Sequence, residues 1–380
     1  MNEFIRQFSL IHADADAGNA PTIVIKDTID IAGMPTTAGS RALSGTPAAD
    51  RHADVVEQVL AAGWCIVGKA NMHELAFGMT GINDFTGTPQ NPQDTTRIPG
   101  GSSSGSAAAV GLHLADAALG TDTGGSIRGP AACCGVLGLK PTFGRVSRRG
   151  VAPSLSSLDC VGPFARDMLT LINVMAAIAP GFDIAATHAS PFQFKVGIAR
   201  VEAMPEILDA VTHAVSLSGF TSQEVKLAHM GAAFDAGLSV INAETWRAFG
   251  HLAASDLLGA DLRKRLQAAS LTGVEQLDAA EAVRVEFTAE VDRALERVDA
   301  IVMPTMPAFP ITLDAARSGT SVIAMSSLIR PFNLSGHPAL SLPLPVAGSP
   351  LKAGLQIIGR KGADEIVCAL AAQVERALHQ

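Results

Sequence analysis

The chain has 380 residues, 48% hydrophobic and 17% charged, which is enough apolar surface for a large core and excludes a disordered scaffold. Its formal charge of −8, from 28 Lys+Arg against 36 Asp+Glu, argues against a broad basic face for nucleic acid. Cys65, Cys133, Cys134, Cys160 and Cys368 are odd in number, widely spaced and free of any CxxC pair, so they exclude a disulfide framework and read as reduced core thiols.

The first residues, Met1 to Phe8, lack the uninterrupted apolar stretch of a secretory signal, and nothing approaches the roughly 20 apolar residues of a membrane span. A cytoplasmic chain with no membrane partner is the expectation. Ile23-Val24-Ile25 reads as a buried strand, Asp54 to Ala62 as a helix with Val55, Val56, Val59 and Leu60 on one face, and Cys65-Ile66-Val67 as the next strand. Strand, helix, strand in that order predicts an α/β fold with a mixed, mainly parallel central sheet covered by helices.

Between Thr86 and Ser106 the texture changes to Gly, Pro, Asn, Ser and Thr, and Arg97 to Ser106 reads as a loop. A helix from about Ala107, a short strand near Ala117 to Leu119, and a second glycine loop from Gly120 to Ser126 follow. Two polar glycine loops thus flank one buried helix, an arrangement in which sites are commonly built. From roughly 180 to 298 the chain reads as an amphipathic, mostly helical variable region, including 262–269 and 276–297. Strand-like runs return at 300–304, 340–344 and 355–358, before a closing helix over 363–378. There is no linker and no repeat, so residues 1–380 are expected to form a single domain.

The second loop carries chemistry that amide cleavage needs: a nucleophile, donors for an oxyanion, and close approach of backbone to substrate. Thr123-Gly124-Gly125-Ser126 puts a hydroxyl at the end of successive backbone N–H groups. The alternative is a glycine turn with Ser126 as a helix cap. In the first loop, Gly101-Ser102-Ser103-Ser104-Gly105 matches the G-x-S-x-G elbow, but the preceding Arg97-Ile98-Pro99-Gly100 is not the strand an elbow requires. No histidine adjoins either loop in sequence. Lys26, Lys69 and Lys140 each close an apolar run; one of them, desolvated, could act as a neutral base, and spacing does not say which.

Taken together, these segments resemble the amidase-signature family. The resemblance is carried by Arg97 to Val110, Gly120 to Ala131 and Gly138 to Ser147, with Ile25-Lys26-Asp27 and Gly68-Lys69-Ala70 upstream and 303–305, 333–339 and 354–359 downstream. It implies Lys26 as base, Ser102 as a bridging serine on a cis peptide bond, and Ser126 as nucleophile. It also implies the backbone of Thr123, Gly124, Gly125 and Ser126 as oxyanion hole, with Asp122, Arg128 and Ser103 supporting the loops. Arg128 is then either one half of a structural ion pair or a clamp for a substrate carboxylate, and Lys69 and Lys140 are structural.

The activity so implied is cleavage of a carboxamide C–N bond through an acyl-enzyme on Ser126, releasing ammonia or an amine. The expected partner is a small-molecule amide, with a homodimer in view; no cofactor and no metal are expected. Three rivals use the same fold: an esterase, a silent amidase-like binding protein, and an ammonia-supplying amidotransferase subunit. Only 25 residues precede Lys26 and the middle region is compact, which stands against the last of these. Urea-derived amides such as allophanate or biuret analogues fit the chemistry as well as simple aliphatic or aromatic amides do.

Overall fold

The computed structural model describes residues 2–12, 18–188 and 194–379. Its strands are β1 (Phe4–Leu10), β2 (Thr22–Lys26), β3 (Cys65–Ala70), β4 (Ala117–Asp122), β5 (Leu137–Lys140), β6 (Cys160–Ala165), β7 (Lys195–Ala199), β8 (Thr221–Val225), β9 (Ala300–Pro304), β10 (Ala339–Leu344) and β11 (Ala353–Ile358). They form one sheet in the order β1-β3-β2-β4-β6-β5-β10-β11-β9-β7-β8.

The alternation of side chains along each strand separates two layers. Ile23 and Ile25 of β2 join Ala117 and Leu119 of β4 in the largest core, where they meet helices Asp54–Ala61 and Met168–Ile178 through Val55, Val59, Leu171 and Val174. Val24 and Ala118 point the other way, into a cluster with Ile127 and with Ala107, Val110 and Ala131 of the two helices that follow the glycine loops. Period-two burial of this kind fixes the register, because a slip of one residue would move each set to the wrong layer. Farther along the sheet, Ile301 and Met303 pack on helices Met230–Phe249 and Val274–Leu295 through Val240, Phe287 and Val291.

The sheet is mixed, and its balance differs from the expectation. Among the described residues four strand pairings are parallel and six antiparallel. The parallel pairs are the ones that helices connect, β2 with β3 and β4, and β7 with β8 and β9. Strands β5, β6, β10 and β11 instead pair antiparallel with their neighbours. The stretch read as mostly helical also contains β7 and β8; β8 is half-exposed at the sheet edge, so its residues lack the apolar run by which a strand is recognised.

Strands β2 and β4 are parallel neighbours, with Ile25 opposite Leu119, so Lys26 and Asp122 leave the sheet at the same edge. Above that edge lies helix Ser104–Gly111, whose first seven residues are all buried. Its small side chains are what allow this. A Cβ on Gly105 would come within 2.4 Å of Glu3 O and 2.5 Å of Asn71 O, so even alanine is excluded there. Among the described residues no helix is long and apolar enough to cross a membrane, and all five cysteines are free and buried.

Candidate active site

Lys26 ends β2 on Val24's face of the sheet, beneath the first glycine loop, and is fully buried. Its Nζ donates to Ser102 Oγ at 2.8 Å and to Thr121 Oγ1 at 2.7 Å. Both acceptors are neutral. Burial pulls its pKa from 10.5 down to about 7, although the negative charges of Asp159 and Asp122 act in the opposite direction. Burial thus makes the neutral amine far more accessible near neutral pH than it is for a lysine in water.

The Gly101–Ser102 peptide bond is cis, and Ser102 is fully buried. Ser103, the central serine of the elbow-like pattern, is also fully buried and donates to Thr121 O at 3.2 Å, tying the first loop to the end of β4. Ser126 is the serine of this group that reaches solvent, at 6% exposure. The two loops are joined where Ser103 N–H donates to Ser126 O at 3.3 Å. Among the described residues the hydroxyls of Ser102 and Ser126 form no direct hydrogen bond.

Asp122 shapes the second loop. Its carboxylate accepts from the backbone N–H groups of Gly125 (2.8 Å), Ile127 (3.0 Å) and Arg128 (3.3 Å). It also accepts from Arg128 Nε and Nη2 at 3.1 and 2.9 Å and from Asn333 Nδ2 at 2.7 Å. Burial alone would raise this carboxyl, but the Arg128 charge and these bonds outweigh it and hold Asp122 well below the usual carboxylate range. The pair with Arg128 has no exposed surface on either side, and Arg128 Nη1 is taken up by Ile329 O and Gln356 Oε1, both at 2.8 Å. The structural ion pair is therefore what the geometry shows for Arg128, and no donor is left over to clamp a substrate.

One expected donor is engaged elsewhere. Gly125 N–H is turned onto Asp122 Oδ1, so it does not face the space beside Ser126, whereas the N–H groups of Thr123, Gly124 and Ser126 have no acceptor among the described residues. Gly125 itself sits at φ +111°, and a Cβ there would lie 2.1 Å from Ile329 Cδ1.

The other two lysines have different surroundings. Lys69 forms a buried ion pair with Asp27 at 2.8 Å, and Lys140 donates to Pro141 O at 2.8 Å rather than to a serine hydroxyl. A histidine, absent from the loops in sequence, does meet one in space: His73 N–H donates to Ser102 O at 3.0 Å. Burial lowers its ring pKa to about 4, and the ring packs over Gly78 and against Thr80 Oγ1 rather than the serine hydroxyls. A cleft of about 620 Å³, lined in part by His73, Thr80 and Val322, has no residue of either glycine loop in its lining.

Four neighbours of the site were given no role from the sequence, although Thr121, Asn333 and Gln356 lie in stretches that carry the family resemblance. Thr121 holds Lys26, Asn333 and Gln356 hold Asp122 and Arg128, and Asp159 accepts from Thr123 Oγ1 at 2.9 Å. Asn333 and Gln356 lie more than 200 residues from Asp122, and only the fold brings them together. Among the described residues no cluster of His, Cys, Asp or Glu is arranged to hold a metal ion.

A family model described as Amidase matches residues 21–368. The chain is 35% identical over 393 residues to a Glutamyl-tRNA(Gln) amidotransferase subunit of Methanospirillum hungatei, covering 90% of this chain and 89% of that one. Among solved structures it is similar to the corresponding Glutamyl-tRNA(Gln) amidotransferase subunit of Thermotoga maritima, at 30% identity and a TM-score of 0.83 over 98% of this chain and 87% of that one. It is also similar to a protein described as an amidase, at 32% identity and a TM-score of 0.85 over 94% and 84% of the two chains.

Proposed function

The chain belongs to the amidase-signature family, and on that premise we propose that it breaks a carboxamide C–N bond through an acyl-enzyme on Ser126. The observation that carries this reading is the fully buried Lys26, its pKa pulled to about 7, in contact with Ser102 Oγ at 2.8 Å. When the amine is neutral the same contact runs in reverse, with Ser102 O–H donating to Nζ. Ser102 can then accept the Ser126 proton as Ser126 Oγ attacks the carbonyl carbon. That step needs the Ser126 side chain to turn onto Ser102, a rearrangement of the kind that substrate commonly completes.

The negative charge that develops on the carbonyl oxygen is met by the free N–H groups of Thr123, Gly124 and Ser126. Each such donor is worth roughly 10²–10³ in rate when it is fixed in advance. Asp122 supplies that fixity by holding three neighbouring amides of the same loop. As the C–N bond breaks, the proton returns through Ser102 to the leaving nitrogen, and water attacks the ester on Ser126 by the reverse route. The panel that tests this measures ammonia or amine release from aliphatic, aromatic and ureido amides and from glutamine. Release at wild-type rates by Ser126→Ala would overturn it.

The relatives favour a particular version. They are named as amidotransferase subunits, and because the chain spans 89% of the Methanospirillum protein, its compactness does not count against that version. In this reading glutamine is the amide, and the released ammonia passes to a partner protein rather than to solvent. Glutamine hydrolysis that rises when co-purified partners are restored supports it. Faster turnover of simple amides than of glutamine, with no protein partner co-purifying, supports the free-standing amidase.

A further inference from the structure

Arg330 lies beside the oxyanion loop with its charge unspent. It is 5% exposed, and the segment that carries it is anchored on both sides: Leu328 O accepts from Gln356 Nε2, Ile329 O accepts from Arg128 Nη1, and Asn333 is bonded to Asp122. Its side chain runs along the loop, with Nε 3.7 Å from where a Cβ on Gly124 would stand. The guanidinium lies over the Phe234 ring at 4.2 Å and donates to Phe234 O at 3.3 Å and Ser326 Oγ at 2.7 Å. Both acceptors are neutral, and Nε is buried with no partner. The carboxylate whose charge it feels, Asp235, is exposed, and the two form no ion pair among the described residues. Burial lowers its pKa only to about 10, so it remains a cation at neutral pH.

A buried cation with neutral partners and an idle donor is costly to hold, and an incoming anion relieves that cost. A planar guanidinium is also the side chain best suited to bind a carboxylate through charge-assisted hydrogen bonds. We propose that Arg330 is a specificity-determining residue that binds a carboxylate carried by the amide substrate, so that the enzyme prefers amides of short dicarboxylic acids over neutral amides. This rests on the reading of Ser126 as nucleophile. A Cβ on Gly124 would meet Ile241 Cδ1 at 2.8 Å and stand in ordinary contact with the Arg330 side chain, so glycine keeps the space beside Arg330 clear.

The test compares succinamate with 4-methylpentanamide, its uncharged isostere. Wild type is expected to favour succinamate in kcat/KM, and Arg330→Gln to reduce that preference roughly 10- to 100-fold, mainly through KM, with Arg330→Lys recovering part of it. Calorimetric binding of the same two amides to Ser126→Ala, with and without Arg330→Gln, reads the anion site without turnover. Proportional loss on both amides, or no preference for succinamate in wild type, overturns the proposal. Carboxylate-selective binding without Ser126-dependent hydrolysis would leave the anion site standing and remove the catalytic reading instead.

Discussion

Replacing Lys26 by methionine should change how the stability of the protein depends on pH, and by a calculable amount. A fall of the Lys26 pKa from 10.5 to about 7 means that folding disfavours its ammonium by about 5 kcal/mol, at about 1.4 kcal/mol per pH unit. Below pH 7 both the folded and the unfolded chain hold the proton, and the whole penalty is present. Between pH 7 and 10.5 the unfolded chain holds the proton and the folded chain does not, so stability climbs with pH. Above 10.5 neither holds it. A methionine side chain at this position does not titrate, and the loss of the bonds to Ser102 and Thr121 is independent of pH over this range. The wild-type protein should therefore gain roughly 2–3 kcal/mol on the Lys26→Met variant between about pH 7.5 and 9.5. Other titrating groups cancel in the difference. Urea unfolding followed by tryptophan fluorescence reads it, since Trp64 is buried in the main core. A difference that stays flat over these two pH units would mean that Lys26 keeps its proton, and the neutral base would be refuted.

Arg128→Met leaves Asp122 buried without its counter-charge and should cost about 3–5 kcal/mol at pH 8. Because the unpaired carboxyl then titrates at higher pH, the deficit should shrink toward pH 5, which calorimetric Tm values at the two pH values would show. Thr121→Val removes an acceptor of the Lys26 ammonium, so the rising limb of kcat/KM near pH 7 should move to lower pH; a limb that moves upward or stays fixed contradicts the role given to Thr121. Gly125→Ala must place a Cβ at φ +111° and 2.1 Å from Ile329 Cδ1, so both Tm and turnover should fall, and full activity would show that the loop is not held as described.

Much of the site could be read from the sequence because its parts are local. The glycine loops announce themselves by composition, and the resemblance assigned Lys26, Ser102 and Ser126 to positions that the fold brings to one edge of the sheet. Strands with apolar runs, such as β2, β4 and β9, were visible for the same reason. What was hidden depends on distant partners. Nothing in the segment near Asn333 or Gln356 says that its amide will satisfy a carboxylate or guanidinium over 200 residues away. Gly125 looked like an oxyanion donor because sequence lists N–H groups without their directions, and Asp122 had already claimed that one. The mixed α/β sheet is legible in the sequence, but the balance of parallel and antiparallel pairs is not, because β5, β6, β10 and β11 are buried almost throughout and a strand buried on both faces does not reveal its direction.

The most direct measurement is the rate at which a fluorophosphonate labels the protein at pH 8, followed by intact mass and peptide mapping. A single adduct on Ser126 is expected, absent in Ser126→Ala, and slowed roughly 100-fold or more in Lys26→Ala and in Ser102→Ala, as general-base catalysis of about 10² to 10⁴ requires. An adduct on another residue, or labelling of Lys26→Ala as fast as wild type, would contradict it.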